Sequence, residues 1–192
     1  NCMSSLHANE YILCLICVNG LPKTRFKEFS DNELARIFAG RVNIRYATAL
    51  FYFSYGGSVR KLVHAFKYQG DISVGNYLGS LMASHLKENP DFSIINCLIA
   101  VPMHPKKKRK RGYNQSQILA RVVSEKLNIP ILAQVLSKRD DIRSQTTKKR
   151  FDRWEDTREA FFAERPELLK NKHLLIIDDI VTTGATLEAC AR

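Results

Sequence analysis

What this chain lacks narrows it before any motif does. No apolar run approaches the roughly 20 residues that span a bilayer, and the first residues do not set a basic stretch before an apolar one, as a secretory leader would. No internal repeat is evident, which argues against a solenoid. The five cysteines are an odd number and do not follow the spacing of a secreted disulfide framework. A soluble intracellular protein is the expectation. Acid is also scarce: 19 Asp and Glu face 30 Lys and Arg, a net charge of +11. Such an excess predicts an anionic partner, whether nucleic acid, a membrane surface or a polyphosphorylated small molecule, and charge alone does not choose among them. With 192 residues and 45% hydrophobic content, the chain can bury the core of one ordinary domain and carry a small appendage.

Cys14-Leu15-Ile16-Cys17 forms a Cys-x-x-Cys, and Cys2 lies twelve positions earlier. Two such pairs build a tetrahedral thiolate zinc site. Cys2, Cys14 and Cys17 are three candidate ligands, and the chain starts at Asn1 without an initiator Met; a cysteine two residues before Asn1 would complete the second pair. The expectation is a partial zinc module over residues 1–22, truncated at its amino end. A redox pair is the rival reading of Cys14 and Cys17, but no thioredoxin-like βαβ pattern surrounds them. Cys97, in an apolar run, and Cys190, near the end, read as packing residues.

A connector follows over residues 23–57. Within it the stretch 44–55 is rich in aromatic and β-favouring residues and stops at Gly56-Gly57, which predicts a strand or hairpin. From residue 58 the pattern changes. Val59, Leu62, Val63 and Phe66 recur at helical spacing, as do Leu78, Leu81, Met82 and Leu86 before Pro90. His64 and His85 ride on these helices without matched carboxylates or cysteines and read as structural or solvated. Residues 94–101 form an apolar run of strand length. Asn114 can cap a helix with Gln117 in the reciprocal position, its inner face formed by Ile118, Leu119, Val122, Val123 and Leu127. Residues 131–136 predict a further strand, so that 94–136 make a right-handed βαβ unit. A short strand is expected at 160–163.

The most informative stretch is His173-Leu174-Leu175-Ile176-Ile177-Asp178-Asp179-Ile180-Val181-Thr182-Thr183-Gly184-Ala185-Thr186. Four apolar residues suit a central parallel strand, and the acids and the turn after them sit at its carboxyl end, where open α/β sheets bind ligands. Asp178 and Asp179 can accept hydrogen bonds from vicinal hydroxyls. Thr182, Thr183, Gly184, Ala185 and Thr186 then offer hydroxyls and unencumbered backbone N–H groups, an anion site. A sugar diol followed by a phosphate is the ligand this order describes. Only six residues follow Thr186, so the carboxyl end also reads as cut, before a further strand.

Two basic segments accompany the acids. Residues 105–111, Pro105-Lys106-Lys107-Lys108-Arg109-Lys110-Arg111, read as a loop between the strand ending at Val101 and the helix capped by Asn114, at the same sheet edge as Asp178. A diphosphate there would meet cations and a helix start together, with Lys106, Arg109 and Arg111 as leading contacts. Residues 143–154 are long, polar and cationic, as a functional lid between strands would be; Trp154 reads as an anchor at its base.

The string 174–186 matches the binding motif of type I phosphoribosyltransferases. Together with the Cys-x-x-Cys, Val101-Pro102-Met103-His104-Pro105, Arg111-Gly112-Tyr113-Asn114-Gln115 and Ser144-Gln145-Thr146, it makes nearly the whole chain resemble ComF-type competence proteins. The resemblance implies an α/β phosphoribosyltransferase fold over 58–192, a central parallel sheet flanked by helices and related to that of amidophosphoribosyltransferase, with the small zinc-ribbon-like module in front. It implies 5-phosphoribosyl 1-diphosphate as ligand, with Mg²⁺ bound beside the diphosphate. Asp178 and Asp179 would hold the ribose hydroxyls, Gln145 would share the catalytic role, Thr182 to Thr186 would hold the 5-phosphate, and Lys148 would act from a mobile loop. It further implies a bacterial cytoplasmic protein tied to DNA uptake, with single-stranded DNA or uptake proteins as partners and the acceptor unassigned. A non-catalytic DNA-binding or DNA-transport factor that keeps the pocket as a sensor is the alternative.

Overall fold

The computed structural model describes residues 10–138 and 160–192. Helices α1 (Leu15–Asn19), α2 (Glu33–Phe38), α3 (Ser58–Tyr68) and α4 (Ile72–Lys87) lead into a 3₁₀ turn at Pro90–Ile94 and strand β1 (Cys97–Ala100). Helices α5 (Pro105–Arg111) and α6 (Gln115–Leu127) follow, then β2 (Leu136–Lys138), β3 (Phe161–Ala163), a 3₁₀ turn at Pro166–Leu168, β4 (Leu174–Ile177) and α7 (Ala185–Ala191). The result is a mixed α/β protein with a small parallel sheet. No described helix is long and apolar enough to cross a membrane.

β1 and β4 pair in parallel, Cys97 opposite Leu174 through Ala100 opposite Ile177. Parallel pairing brings both carboxyl ends to one edge, so the segments after Val101 and after Ile177 emerge side by side. Leu98 and Ile99 are buried from both faces of the sheet, and α6 packs on it through Leu119, Ala120 and Val123. Each large apolar side chain buried in this way contributes about 1.5–3 kcal/mol of transfer free energy.

The helical layer depends on two glycines one turn apart on α4. A Cβ at Gly75 would lie 2.3 Å from the Phe66 ring of α3, and one at Gly79 would lie 2.8 Å from Val122 of α6. Their missing side chains let three helices approach closely, which offsets the intrinsic cost of glycine inside a helix. Asp71 caps α4 by accepting from the Ser73 and Val74 N–H groups. Asn114 caps α6 by accepting from Ser116 N–H, and its amide donates to Val101 O at 2.9 Å, tying the helix start to the end of β1.

Three sequence expectations are corrected. Residues 131–136 are not a strand: Ile131 makes a single parallel bridge to Leu98, the chain turns at Gln134 with φ of 55°, and Leu136–Lys138 pairs antiparallel with Phe161–Ala163. Residues 44–55 form no hairpin. Phe51 bridges Lys23 of the connector, and the ladder stops because Pro22, whose carbonyl accepts from Tyr52 N–H, has no N–H to give. The basic run 105–111 is a helix, not a loop. Pro105 suits its first position, His104 caps it by accepting from Lys106 N–H, Gly112 ends it at φ of 88°, and its late cations face the negative end of the helix.

Leu13, Leu21 and Phe29 belong to the same buried cluster as Phe66, Leu98 and Val123. The amino-terminal segments thus share the main core.

Candidate functional site

Asp178 begins where the β1–β4 ladder ends. Its Oδ1 accepts from Ser116 Oγ at 3.0 Å and from the Asp179 N–H at 2.9 Å. Burial, and then the neighbouring Asp179 charge, push its carboxyl up to about 6, against the opposing pull of these two hydrogen bonds and of Lys67. Asp179 meets Lys67 Nζ at 2.6 Å, with the two side chains only 15% and 16% exposed. The acid pair therefore holds one buried ammonium and two hydrogen-bond donors. A cation or a set of hydroxyls beside Asp178 would relieve the remaining cost of its charge.

Neither Lys67 nor Ser116 is singled out by the sequence. Lys67 follows the core residue Phe66 on α3, and Tyr113, stacked on Phe66, donates its hydroxyl to the Phe66 carbonyl. Residue 67 is thereby fixed against the start of α6. Ser116 lies two residues after the Asn114 cap. Beside it Gln115 is 1% exposed, and its Nε2 has no acceptor among the described residues.

The turn after Asp179 is held from the connector. Gly184 adopts φ of 77°, and a Cβ there would sit 2.8 Å from Ile37 Cγ2 and 2.9 Å from Phe38 Cε1. α2 therefore presses on the turn where only glycine fits. Arg41, just past α2, donates to the carbonyls of Ile37 and Thr183, each at 3.1 Å, and pairs with Glu188 of α7. Arg192 also pairs with Glu188, at 2.9 Å, and donates to the Arg41 carbonyl at 2.7 Å. Glu188 is 3% exposed. Burial would raise its carboxyl, but the hydrogen bonds from Arg192 and Arg41 and their charges outweigh burial and hold it below the usual range. Thr182 and Thr183 stand exposed above this clamp, with Ala185 and Thr186 partly covered.

Of the cations read from the sequence, Lys106 and Arg109 lie exposed on α5. Arg111 is half-buried; its guanidinium donates to Gln115 Oε1 at 2.8 Å and lies 5.2 Å from the Tyr68 ring centroid. Among the described residues the cation paired with the acids is Lys67. Gln145 and Lys148, with the rest of 143–154, lie outside the described residues, as does Cys2. Cys14 is buried at the N-cap of α1 and Cys17 is partly buried on its first turn. Among the described residues no group of three or more His, Cys, Asp or Glu is placed to hold a metal ion.

Two further titratable groups, His85 and Cys190, read as structural. His85 is partly buried, with Nε2 2.7 Å from Thr48 Oγ1, and burial lowers its pKa. Burial, then the Asp178 charge, push the Cys190 thiol up to about 12.

No family model and no solved structure matches the chain. Curated relatives do. Competence protein ComFC of Bacillus subtilis is 26% identical over all of this chain and 75% of its own length. Competence protein F of Haemophilus influenzae is 25% identical over 68% of this chain and 59% of its own length. DNA utilization protein YhgH of Escherichia coli K12 is 23% identical over 72% of this chain and 61% of its own length. The chain thus spans three quarters of the first relative and about three fifths of the other two.

Proposed function

The chain is a relative of the ComF-type competence proteins, and from that premise we propose that its β4 edge binds 5-phosphoribosyl 1-diphosphate in a protein serving DNA uptake. One observation carries the reading: two adjacent carboxylates, steadied by Ser116 and Lys67, precede a turn that exposes Thr182 and Thr183 and is locked from behind by Arg41. Asp178 and Asp179 would accept from the two ribose hydroxyls. The hydroxyls and N–H groups of 182–186 would hold the 5-phosphate, and the cations of α5 the diphosphate. The Gln115 Nε2, without an acceptor among the described residues, fits an acceptor brought by the ligand.

Transfer from such a ligand displaces diphosphate from C1 as the ribose gains oxocarbenium character, so positioning and dispersal of the leaving group's charge suffice and no side-chain nucleophile is required. Asp178, which has no ion-pair partner among the described residues, would hold Mg²⁺, and the ion would supply charge neutralisation for the leaving group. Lys67 holds the Asp179 carboxylate in place while the diol is absent. Zinc would suit the two α1 thiols, which share a helical turn, together with Cys2 and a further ligand, in a structural site. A cytoplasmic location belongs to the same reading. Calorimetric titration of 5-phosphoribosyl 1-diphosphate with Mg²⁺ tests the pocket: saturable binding is expected, and no heat at millimolar ligand defeats it.

A second reading has its own observation. α5 presents Lys106 to Lys110 to solvent, and no ion pair among the described residues uses them. A non-catalytic DNA-handling factor with a sensing pocket would use that helix. Binding to DNA should then weaken steeply with salt and vary little with sequence.

A further inference from the structure

The outer face of α3 carries a feature that the pocket does not use. Arg60, His64 and Tyr68 recur every fourth residue on the side opposite the core stripe of Val59, Leu62, Val63 and Phe66, and all three are exposed. They take part in two separate aromatic contacts along that face. The Arg60 guanidinium lies 4.3 Å from the centroid of Tyr55, which is 92% exposed. The His64 and Tyr68 rings are 5.0 Å apart, and Arg111 closes the series 5.2 Å from Tyr68, itself 68% exposed. From Arg60 to Tyr68 the helix rises about 12 Å, the length of roughly three stacked bases. At one end Lys67 reaches Asp179; beyond Arg111 the cations of α5 continue the positive surface.

Exposed tyrosines cost solubility and offer nothing to the core here. Alternating with cations, they suit one occupant: a chain of flat π-faces joined by negative charges. We infer that Tyr55, Arg60, His64 and Tyr68 form a stacking track for single-stranded nucleic acid, which runs along α3 toward the acid pair. A duplex keeps its base faces stacked inside and would meet only the charges, so the track should favour single strands. This inference rests on the DNA-handling reading and is independent of the ribosyl pocket.

The test is fluorescence anisotropy with a labelled oligothymidylate and a duplex of equal length, using the parent, Tyr55→Ala with Tyr68→Ala, and Tyr55→Phe with Tyr68→Phe. The alanine pair should weaken single-strand binding at least about tenfold, leave duplex binding within about twofold and keep the salt slope. The phenylalanine pair should bind as the parent does. Both tyrosines are exposed, so thermal melts should be unchanged, and titration of 5-phosphoribosyl 1-diphosphate in the same samples reads the pocket separately. Equal single-strand binding by the alanine pair overturns the track while leaving DNA binding standing. No oligonucleotide binding by the parent overturns both.

Discussion

Two charged regions meet at one sheet edge and are built in opposite ways. At the acid pair and its turn the charges are fixed by close partners: Lys67 pairs with Asp179, Arg41 and Arg192 pair with the buried Glu188, and Asp178 is held by two hydrogen bonds. On α5 and the outer face of α3 most cations lie in water; Arg60 rests on the Tyr55 ring, and the half-buried Arg111 lies against Tyr68 and donates to Gln115. Buried pairs fix geometry at a desolvation cost and leave a site with one shape. Exposed cations fix little, but they cast a field and adapt to a flexible polyanion. The contrast separates a site suited to one small ligand from a surface suited to a long one.

Substitutions at the two regions should therefore fail differently. The largest effect is expected for Gly184→Ala, which forces an unfavourable φ and drives Cβ into Ile37 and Phe38; about 2–4 kcal/mol of stability should be lost in denaturant titration. A loss under about 0.5 kcal/mol would mean that α2 does not press on the turn. Glu188→Gln comes next. It leaves Arg41 and Arg192 without a counter-charge, and because both arginines are partly solvated the expected loss is on the order of 2 kcal/mol. A variant as stable as the parent would show that the clamp does not hold the turn.

Asp178→Asn should act in the other direction. Its carboxyl is pushed up to about 6, so in the parent the folded state holds this proton more tightly than the unfolded chain. The resulting stabilisation is complete below the unfolded pKa near 4 and is lost as pH rises through about 6. The asparagine variant lacks that loss. Its stability relative to the parent should climb between pH 4 and pH 6.5 by roughly 1–3 kcal/mol and then level off, although ligand binding is lost. A difference independent of pH would contradict the buried-charge description. The smallest effect belongs to α5: Lys107→Gln with Lys108→Gln should change stability by no more than about 0.5 kcal/mol, yet lower the salt slope of DNA binding by about one to two.

The linear sequence reveals some of this directly. Leu174–Ile177 is a strand with the bounds its flanking polar residues suggest, because a buried parallel strand needs an unbroken apolar run. α3, α4 and α6 follow from their apolar spacing and, for α6, from Asn114. Partners across long separations leave no such trace. Arg41 reaches Thr183 across 142 residues, and in a polar connector it looks like any solvated arginine. Lys67 borders an apolar stripe, as most surface lysines on amphipathic helices do. The basic run misleads because lysine and arginine serve loops and helices equally well, and Pro105 and Gly112, familiar in turns, are also good helix boundaries. Residues 44–55 mislead because β propensity does not supply a partner strand.

The central claim is that Asp178, Asp179 and the turn behind them form a cradle for a phosphorylated ribose bearing a diphosphate. Calorimetric titration of 5-phosphoribosyl 1-diphosphate with Mg²⁺ into the parent and into Asp178→Asn with Asp179→Asn tests it most directly. One saturable site is expected in the parent and at least about a hundredfold weaker binding in the variant, about 2.7 kcal/mol. Equal binding by the two proteins, or none by the parent, would contradict it.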